Sequence, residues 1–295
     1  MARRIIVGTA LLAWSCACAA TDGAWLAAQL SRVEAASFGI APAGRIDAAE
    51  HRLAGEWPLA DGLRVGLDYV YTRYEYAGLA GRNRDLHRLA LPFVLERSGR
   101  DWSLLVTFAP GLSASSNVFK EPLDRWSRDE LTLDLSATAV RALGERTDLL
   151  LGVARDQRLG RPLVYPLAGV RYTGERLAWH LGWPQAGIDW QFAPAQRLRL
   201  RLCPAGHRWA VASDETGGRF DYRQRAGRAT VAWHLELGHR FALELGGGYE
   251  FGRRHRLTDD AGTRLTAAAD DAWLVTLGLV AGRRPGIASR PADCR

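Results

Sequence analysis

Leu131-Thr132-Leu133-Asp134-Leu135-Ser136-Ala137-Thr138 alternates apolar odd positions with polar even ones. Successive side chains on a β-strand point to opposite faces, whereas a helix repeats every 3.6 residues, so this beat belongs to a strand. The same beat runs through most of the chain. Leu63, Val65, Leu67, Tyr69 and Tyr71 alternate with Arg64, Gly66 and Asp68, and Leu198, Leu200 and Leu202 with Arg197, Arg199 and Arg201. Val231, Trp233, Leu235 and Leu237 are interleaved with Ala232, His234 and Glu236, and Phe241, Leu243, Leu245, Tyr249 and Phe251 with Glu244, Gly246, Gly248 and Glu250.

Two architectures produce such a pattern: a sandwich that buries the apolar register, and a barrel that turns it toward lipid. The alternating segments run for about 9–15 residues. Globular strands average ~5–6 residues, and a strand tilted across a bilayer needs ~9–11. The connections also alternate in length. Short ones fall at Ala60-Asp61-Gly62, Ser98-Gly99-Arg100, Gly144-Glu145-Arg146, Gly174-Glu175, Pro194-Ala195-Gln196 and Gly238-His239-Arg240. Longer ones fall at Gly78–Arg84, Ala114–Arg128, Arg158–Pro162, Ser213–Gly218 and Arg254–Asp270, and a short turn at Ala60–Gly62 then requires an earlier strand at 31–41 with Pro42–Arg45 as its outer turn. Short periplasmic turns and longer outer loops characterise transmembrane barrels. The expectation is an all-β, closed up-and-down antiparallel transmembrane barrel. Its strands fall at 31–41, 46–59, 62–76, 85–97, 101–113, 129–142, 147–157, 163–173, 176–183, 187–193, 197–212, 220–238, 240–253 and 271–283. That makes about 14 strands, or 12 if Pro184 breaks the short pair near 176–193. The aromatics Trp57, Tyr69, Tyr71, Tyr74, Tyr76, Trp102, Trp179, Trp183, Trp190, Trp209, Trp233, Tyr249 and Trp273 mostly fall near strand ends, where girdles of such barrels sit.

The 295 residues are 47% hydrophobic and 24% charged, with 11 Trp. That composition excludes a disordered chain. No stretch after residue 20 is long and apolar enough for a spanning helix. Of the 39 basic residues all but Lys120 are Arg, spread along the chain without the clusters that bind nucleic acid. Residues 1–20 read as an export signal: Arg3 and Arg4, an apolar run from Ile5 to Trp14, then the small residues Ala17, Cys18, Ala19 and Ala20. Acylation at Cys16 or Cys18 is the rival reading. Cleavage leaves Cys203 and Cys294, which an oxidising compartment permits to pair. The expected layout is a signal peptide at 1–20, a periplasmic segment at 21–30, a barrel at 31–283 and a polar tail at 284–295. The expected location is the cell outer membrane.

The segment Pro166-Leu167-Ala168-Gly169-Val170, Leu181-Gly182-Trp183-Pro184, Ile188-Asp189-Trp190 and Gly206-His207-Arg208-Trp209 resembles a family of bacterial outer-membrane β-barrel proteins of unknown function. The resemblance implies an outer-membrane barrel and carries over no catalytic residue.

For catalysis, His180, His234 and His255 are possible bases and Ser103, Ser113 and Ser136 possible nucleophiles, yet no spacing forces any pair together. There is no G-x-S-x-G elbow, Gly246-Gly247-Gly248 lacks the Lys and helix of a phosphate cradle, and no metal-site spacing occurs. No catalytic residue, cofactor or metal is therefore expected. The polar register supplies Asp134, His180, Asp189, Arg199, Arg201, His234, Glu236, Glu244 and Glu250 as candidate lumen-facing residues. Enclosed charges must be paired or hydrated. Tight ladders make a structural barrel, and water between them makes a pore. The expected function is thus a passive pore or structural envelope barrel. The alternatives are a barrel enzyme acting on lipid or lipopolysaccharide and a secreted soluble β-sandwich. Outer-membrane lipid, lipopolysaccharide and the barrel-insertion machinery are the expected partners.

Overall fold

The computed structural model describes residues 23–37, 39, 44–77, 84–120, 127–212 and 218–282. The stretches expected to be an export signal and a polar tail, and all or part of four connections expected to face outward (Pro42–Arg45, Gly78–Arg84, Ala114–Arg128, Ser213–Gly218), lie outside the described residues. Seventeen hydrogen-bonded segments form one sheet, and three strands are each interrupted once, so the wall has 14 strands. They are β1 (Trp25–Ser37), β2 (Arg45–Ala60), β3 (Leu63–Ala77), β4 (Arg84–Ala90 with Phe93–Ser98), β5 (Trp102–Ser115), β6 (Leu131–Ala142) and β7 (Thr147–Asp156). They continue with β8 (Leu163–Thr173), β9 (Leu177–Trp183), β10 (Ala186–Ala193) and β11 (Gln196–Pro204 with His207–Ala212). The last three are β12 (Arg219–Leu237), β13 (Phe241–Asp259) and β14 (Arg264–Ala268 with Ala272–Gly282). Among the described residues one short helix, α1 (Ser116–Lys120), follows β5. Sequence neighbours pair antiparallel, and β1 pairs with β14 from Trp25↔Gly282 to Val33↔Leu274, which closes the barrel.

The alternation maps onto the wall directly. Leu131, Leu133 and Leu135 are exposed while Thr132 and Asp134 between them are buried. Leu245, Leu277, Val231, Leu200 and Leu202 are exposed as well, and Leu235 and Leu243 are half-buried on the same outer register. A water-soluble sandwich would turn these side chains inward; here they form an outward apolar surface of the kind lipid covers. Leu277→Arg, 46% exposed near mid-wall, is expected to cost about 2–4 kcal/mol, the penalty for Arg at the hydrocarbon midplane. Reversible folding titrations into lipid vesicles read this directly. A cost near zero would mean that this face does not meet hydrocarbon.

Several boundaries differ from the sequence expectation. β1 begins at Trp25, so most of the stretch assigned to a periplasmic segment is wall. Its outer register here is Leu26, Ala28 and Leu30, and the small Ala residues hide the alternation that the pairing with β14 reveals. The connection at Arg254–Asp270 is largely a hairpin: β13 runs on to Asp259 and pairs with Arg264–Ala268. Pro184 does not erase a strand pair; it sits with Gln185 in the turn between β9 and β10.

The strands are very unequal. β12 and β13 have 19 residues each, whereas β9 and β10 have 7 and 8. At the long-loop end only β1–β5 and β11–β14 persist. There the upper part of β11 leaves β10 and meets β5 through a parallel bridge between Ala210 and Ala114. Ser113 Oγ donates to the Arg208 carbonyl at 2.5 Å, the Ala212 N–H to Ser115 Oγ at 3.2 Å, and Asn117 Nδ2 to the Ala212 carbonyl at 3.2 Å. The tall strands thus close among themselves as a narrower collar above the wide barrel. The collar is filled by Trp209, Tyr74, Tyr222, Ile46, Leu86 and Val33. Tyr74 and Trp209 are therefore core residues and not part of a girdle, because β11 bends inward beyond its wall position. Trp102, Trp183, Trp190 and Trp273 are exposed as a girdle requires.

Candidate functional site: a charge-lined lumen

The inner register is polar because every second residue of the wall faces a space from which lipid is excluded. At the short-turn end it opens as a cavity of about 430 Å³. The β8–β9 turn, Asp189, Arg197, Arg199, His234, Glu236 and the β12–β13 turn line it. Charges on adjacent strands meet across its inner wall. Arg199 Nη1 lies 2.9 Å from Glu244 and its Nε 3.6 Å from Asp189. Arg201 Nη2 lies 2.9 Å from Asp189, and His234 Nδ1 3.7 Å from Glu244. The register explains the grouping: Asp189 pairs with Arg199, and His234 with Glu244, so each pair projects from the same face.

The opposite wall carries a second ladder. Arg52 Nε lies 2.8 Å from Asp68, and Arg88 reaches Asp68 at 3.6 Å and Asp134 at 3.1 Å, with both Arg side chains largely buried. Charges so enclosed persist only as pairs, since an unmatched ion in a low dielectric costs several kcal/mol. Between the ladders, Arg228 holds Glu250 at 2.6 Å on β13 and reaches across the interior to Glu50 on β2 at 3.9 Å. That contact joins strands which do not pair, so side chains bridge the lumen at mid-height. At the long-loop end of the short strands a ceiling forms. Arg158 bonds Asp156 at 2.7 Å and Gln185 at 3.2 Å, and Tyr165 Oη donates to Asp156 at 2.6 Å. The backbone of this loop touches the break in β11: a Cβ on Gly206 would lie 2.5 Å from the Gly160 nitrogen and 2.6 Å from the Arg158 oxygen. Only glycine fits there.

The nine expected lumen residues all fall on the register opposite the exposed apolar face. Asp134, His180, Asp189, Arg199, His234 and Glu250 are buried, Arg201 and Glu244 partly so, and Glu236 is exposed at the cavity rim. They divide among separate groups. Asp189, Arg199, Arg201, His234 and Glu244 share one network, Asp134 joins the opposite ladder, and Glu250 joins the bridge. His180 stands beside Gly169, whose missing side chain leaves room for its ring. Sequence reading omitted Arg52, Asp68, Arg88 and Arg228, although their even-register positions place them inside by the same rule. It also omitted a His–Ser contact on the outer face of the collar. His87 Nε2 lies 2.7 Å from Ser116 Oγ, and His87 Nδ1 lies 2.8 Å from Tyr69 Oη. Ser116 Oγ also donates to the Asp85 carbonyl at 3.3 Å. Of the serines and histidines considered as a catalytic pair, Ser113 is spent on the β5–β11 seam and His255 Nδ1 contacts Tyr222 Oη at 2.7 Å.

No family model and no curated protein matches this chain. Among solved structures it is similar to an outer membrane channel from Pseudomonas putida F1, at 11% identity and a TM-score of 0.47 over 89% of this chain and 96% of that one. It is also similar to the P. putida toluene transporter TodX, at 11% identity and a TM-score of 0.43 over 90% of this chain and 92% of that one. A third is the KdgM porin, at 7% identity and a TM-score of 0.41 over 88% of this chain and 99% of that one. The barrel itself is established by the strand pairing of this chain.

Proposed function

We propose that this protein resides in the bacterial outer membrane, short turns toward the periplasm, and acts as a narrow passive channel for small polar solutes. The observation that carries the reading is the closed wall with an apolar outer register and a charge-paired inner one around a cavity of about 430 Å³. The solved channels and porins it is similar to are consistent with it. Its expected surroundings are outer-membrane lipid and lipopolysaccharide, reached through the barrel-insertion machinery. Because Arg and carboxylate side chains alternate around the lumen, neither ion sign is favoured, and weak selectivity is expected. Reconstitution of folded protein into planar bilayers tests the reading. Discrete conductance steps, smaller than those of wide 16–18-stranded porins, support a channel. A silent bilayer with folded barrel present would leave a structural envelope role, which the filled collar favours.

The His87–Ser116 contact is the one observation on the side of a lipid-acting enzyme. Its bonds are satisfied by Tyr69 and the Asp85 carbonyl, so a non-enzymatic role fits better. Labelling of Ser116 by a fluorophosphonate would reverse that preference.

A further inference from the structure

We propose that the outer face of the collar on β11, β12 and β13 docks the phosphate groups of lipopolysaccharide, whose acyl chains lie on the apolar wall directly beneath. The arginines are scattered along the sequence, and strand register gathers six of them on this face. Arg208 of β11 stands opposite Arg223 of β12, and Arg223 opposite Arg256 of β13, which makes one row across three strands. Arg225 and Arg254 oppose each other in the next row, and Arg264 lies diagonally across from Arg256, whose partner is Thr266. Trp209, Tyr222, Gln224, Arg253, His255 and Ala267 are buried on the opposite register, so these arginines point away from the collar core. On β13 the arrangement depends on Gly252, whose φ of +62° sits in a bulge that places one extra residue between Phe251 and Arg254. Without that residue Arg254 and Arg256 would share the inner register of Glu244 and Glu250.

Like charges directly opposite each other weaken a sheet, and here they recur in successive rows. The carboxylate among them is Asp221, which already holds Arg208 at 3.1 Å and Arg223 beside it. Arg208 also reaches Asp129 at 3.8 Å. Asp271 accepts the Gly252 N–H at 2.9 Å, and Asp259 the Thr263 N–H at 2.7 Å. Among the described residues no carboxylate pairs with Arg225, Arg254, Arg256 or Arg264, and all four are exposed. Such a face is completed by anions from outside the chain, and the guanidinium fork matches phosphate oxygens two at a time. Position decides which phosphate. Toward the short-turn end the outer register of β13 continues through Phe251, Tyr249, Leu245 and Leu243, and Tyr249 meets the exposed Trp273 edge-on at 5.0 Å. Arg254 lies about 10 Å along the strand from Phe251, at ~3.3 Å per residue, so the arginines begin where the aromatic girdle ends. A soluble anion gains nothing from the apolar surface below, whereas an amphiphile carrying phosphates above acyl chains covers both. The site rests on the outer-membrane placement proposed above, long-loop end outward, and not on conductance.

The folded full chain in neutral detergent is titrated with lipid A, the phosphorylated glycolipid anchor of lipopolysaccharide, and the retained lipid is counted by native mass spectrometry. Combining Arg225→Gln with Arg254→Gln is expected to weaken binding about thirtyfold, roughly fivefold for each arginine beside an anionic lipid surface. Combining Arg97→Gln with Arg141→Gln removes the same charge from exposed positions near the short turns and should leave binding unchanged. In vesicles of neutral phosphatidylcholine the first variant should fold at least as stably as the parent, because a repelling pair is gone. Lower stability there would mean that these arginines serve the chain itself, and would overturn the proposal. Equal lipid A affinity of variant and parent, or equal affinity of the parent for lipid A stripped of its phosphates, would also overturn it. Displacement of lipid A by an equal concentration of inorganic phosphate would make this a free-anion site and count the same way. A silent bilayer with lipid A bound tells against the channel alone, and a conducting barrel indifferent to lipid A against the docking face alone.

Discussion

Trp209→Ala is expected to lower the stability of the barrel by about 3–5 kcal/mol, the range for truncating a fully buried aromatic. Trp209 is 2% exposed. Its ring stacks on Tyr222 with centroids 5.8 Å apart and meets the edge of Tyr74 at 6.4 Å. Removing the indole leaves a hole among side chains from β1, β2, β3, β4 and β14 that cannot collapse, because closed strand pairing holds those walls apart. The measurement is the denaturant midpoint of the folded, detergent-extracted form, followed as the mobility shift between folded and heat-unfolded protein. A second effect should accompany it if the lumen conducts. Emptying the collar lowers the resistance at the long-loop end, so conductance should rise as stability falls. A Trp209→Phe variant, which keeps most of the volume, should restore most of both. A loss below about 1 kcal/mol, the range typical of surface changes, would show that the collar is not a packed core.

Arg88→Met is expected to cost a similar 3–5 kcal/mol for a different reason. Its guanidinium sits between Asp134 at 3.1 Å and Asp68 at 3.6 Å, and all three side chains are no more than 8% exposed. Methionine matches the stem but removes the positive charge that the two carboxylates share, and breaking a buried pair from one side carries that penalty. Asp68 keeps Arg52 at 2.8 Å, so Asp134 bears most of the loss. Adding Asp134→Asn should therefore recover most of the stability at neutral pH, since no unpaired charge remains. The double-mutant comparison is the decisive measurement: simple addition of the two single effects would mean that the residues do not act as a pair.

Fold and interior were legible in the sequence to different depths. Leu131–Thr138 and the Arg197–Leu202 stretch state which side of the wall each residue faces, because facing depends only on parity along one strand. The 14-strand count followed from turn lengths, and it survived the doubt raised by Pro184 because that residue occupies the turn itself. Parity does not say which residues meet across the barrel. The Arg228–Glu50 contact joins strands far apart in sequence, and the Ala114–Ala210 bridge has no local signal in either strand. Trp209 misled for that reason: near a strand end it reads as an interfacial aromatic, and only the inward bend of β11 turns it into core. Trp25–Leu30 has no such signal, because alanines blur the alternation that is plain in Leu131–Thr138.

The disparity in strand length has a mechanical consequence for the surrounding bilayer. β9 and β10, with 7 and 8 residues, fall short of the ~9–11 a tilted strand uses to cross the hydrocarbon. Leu181, Ile188 and Phe192 on that low wall still present grease to the outside. Acyl chains beside it must compress to match, while those beside β12 and β13 need not. Such thickness mismatch costs a fraction of a kcal/mol per Å, so the molecule should ride tilted in the bilayer and prefer thin, short-chain lipid along one flank.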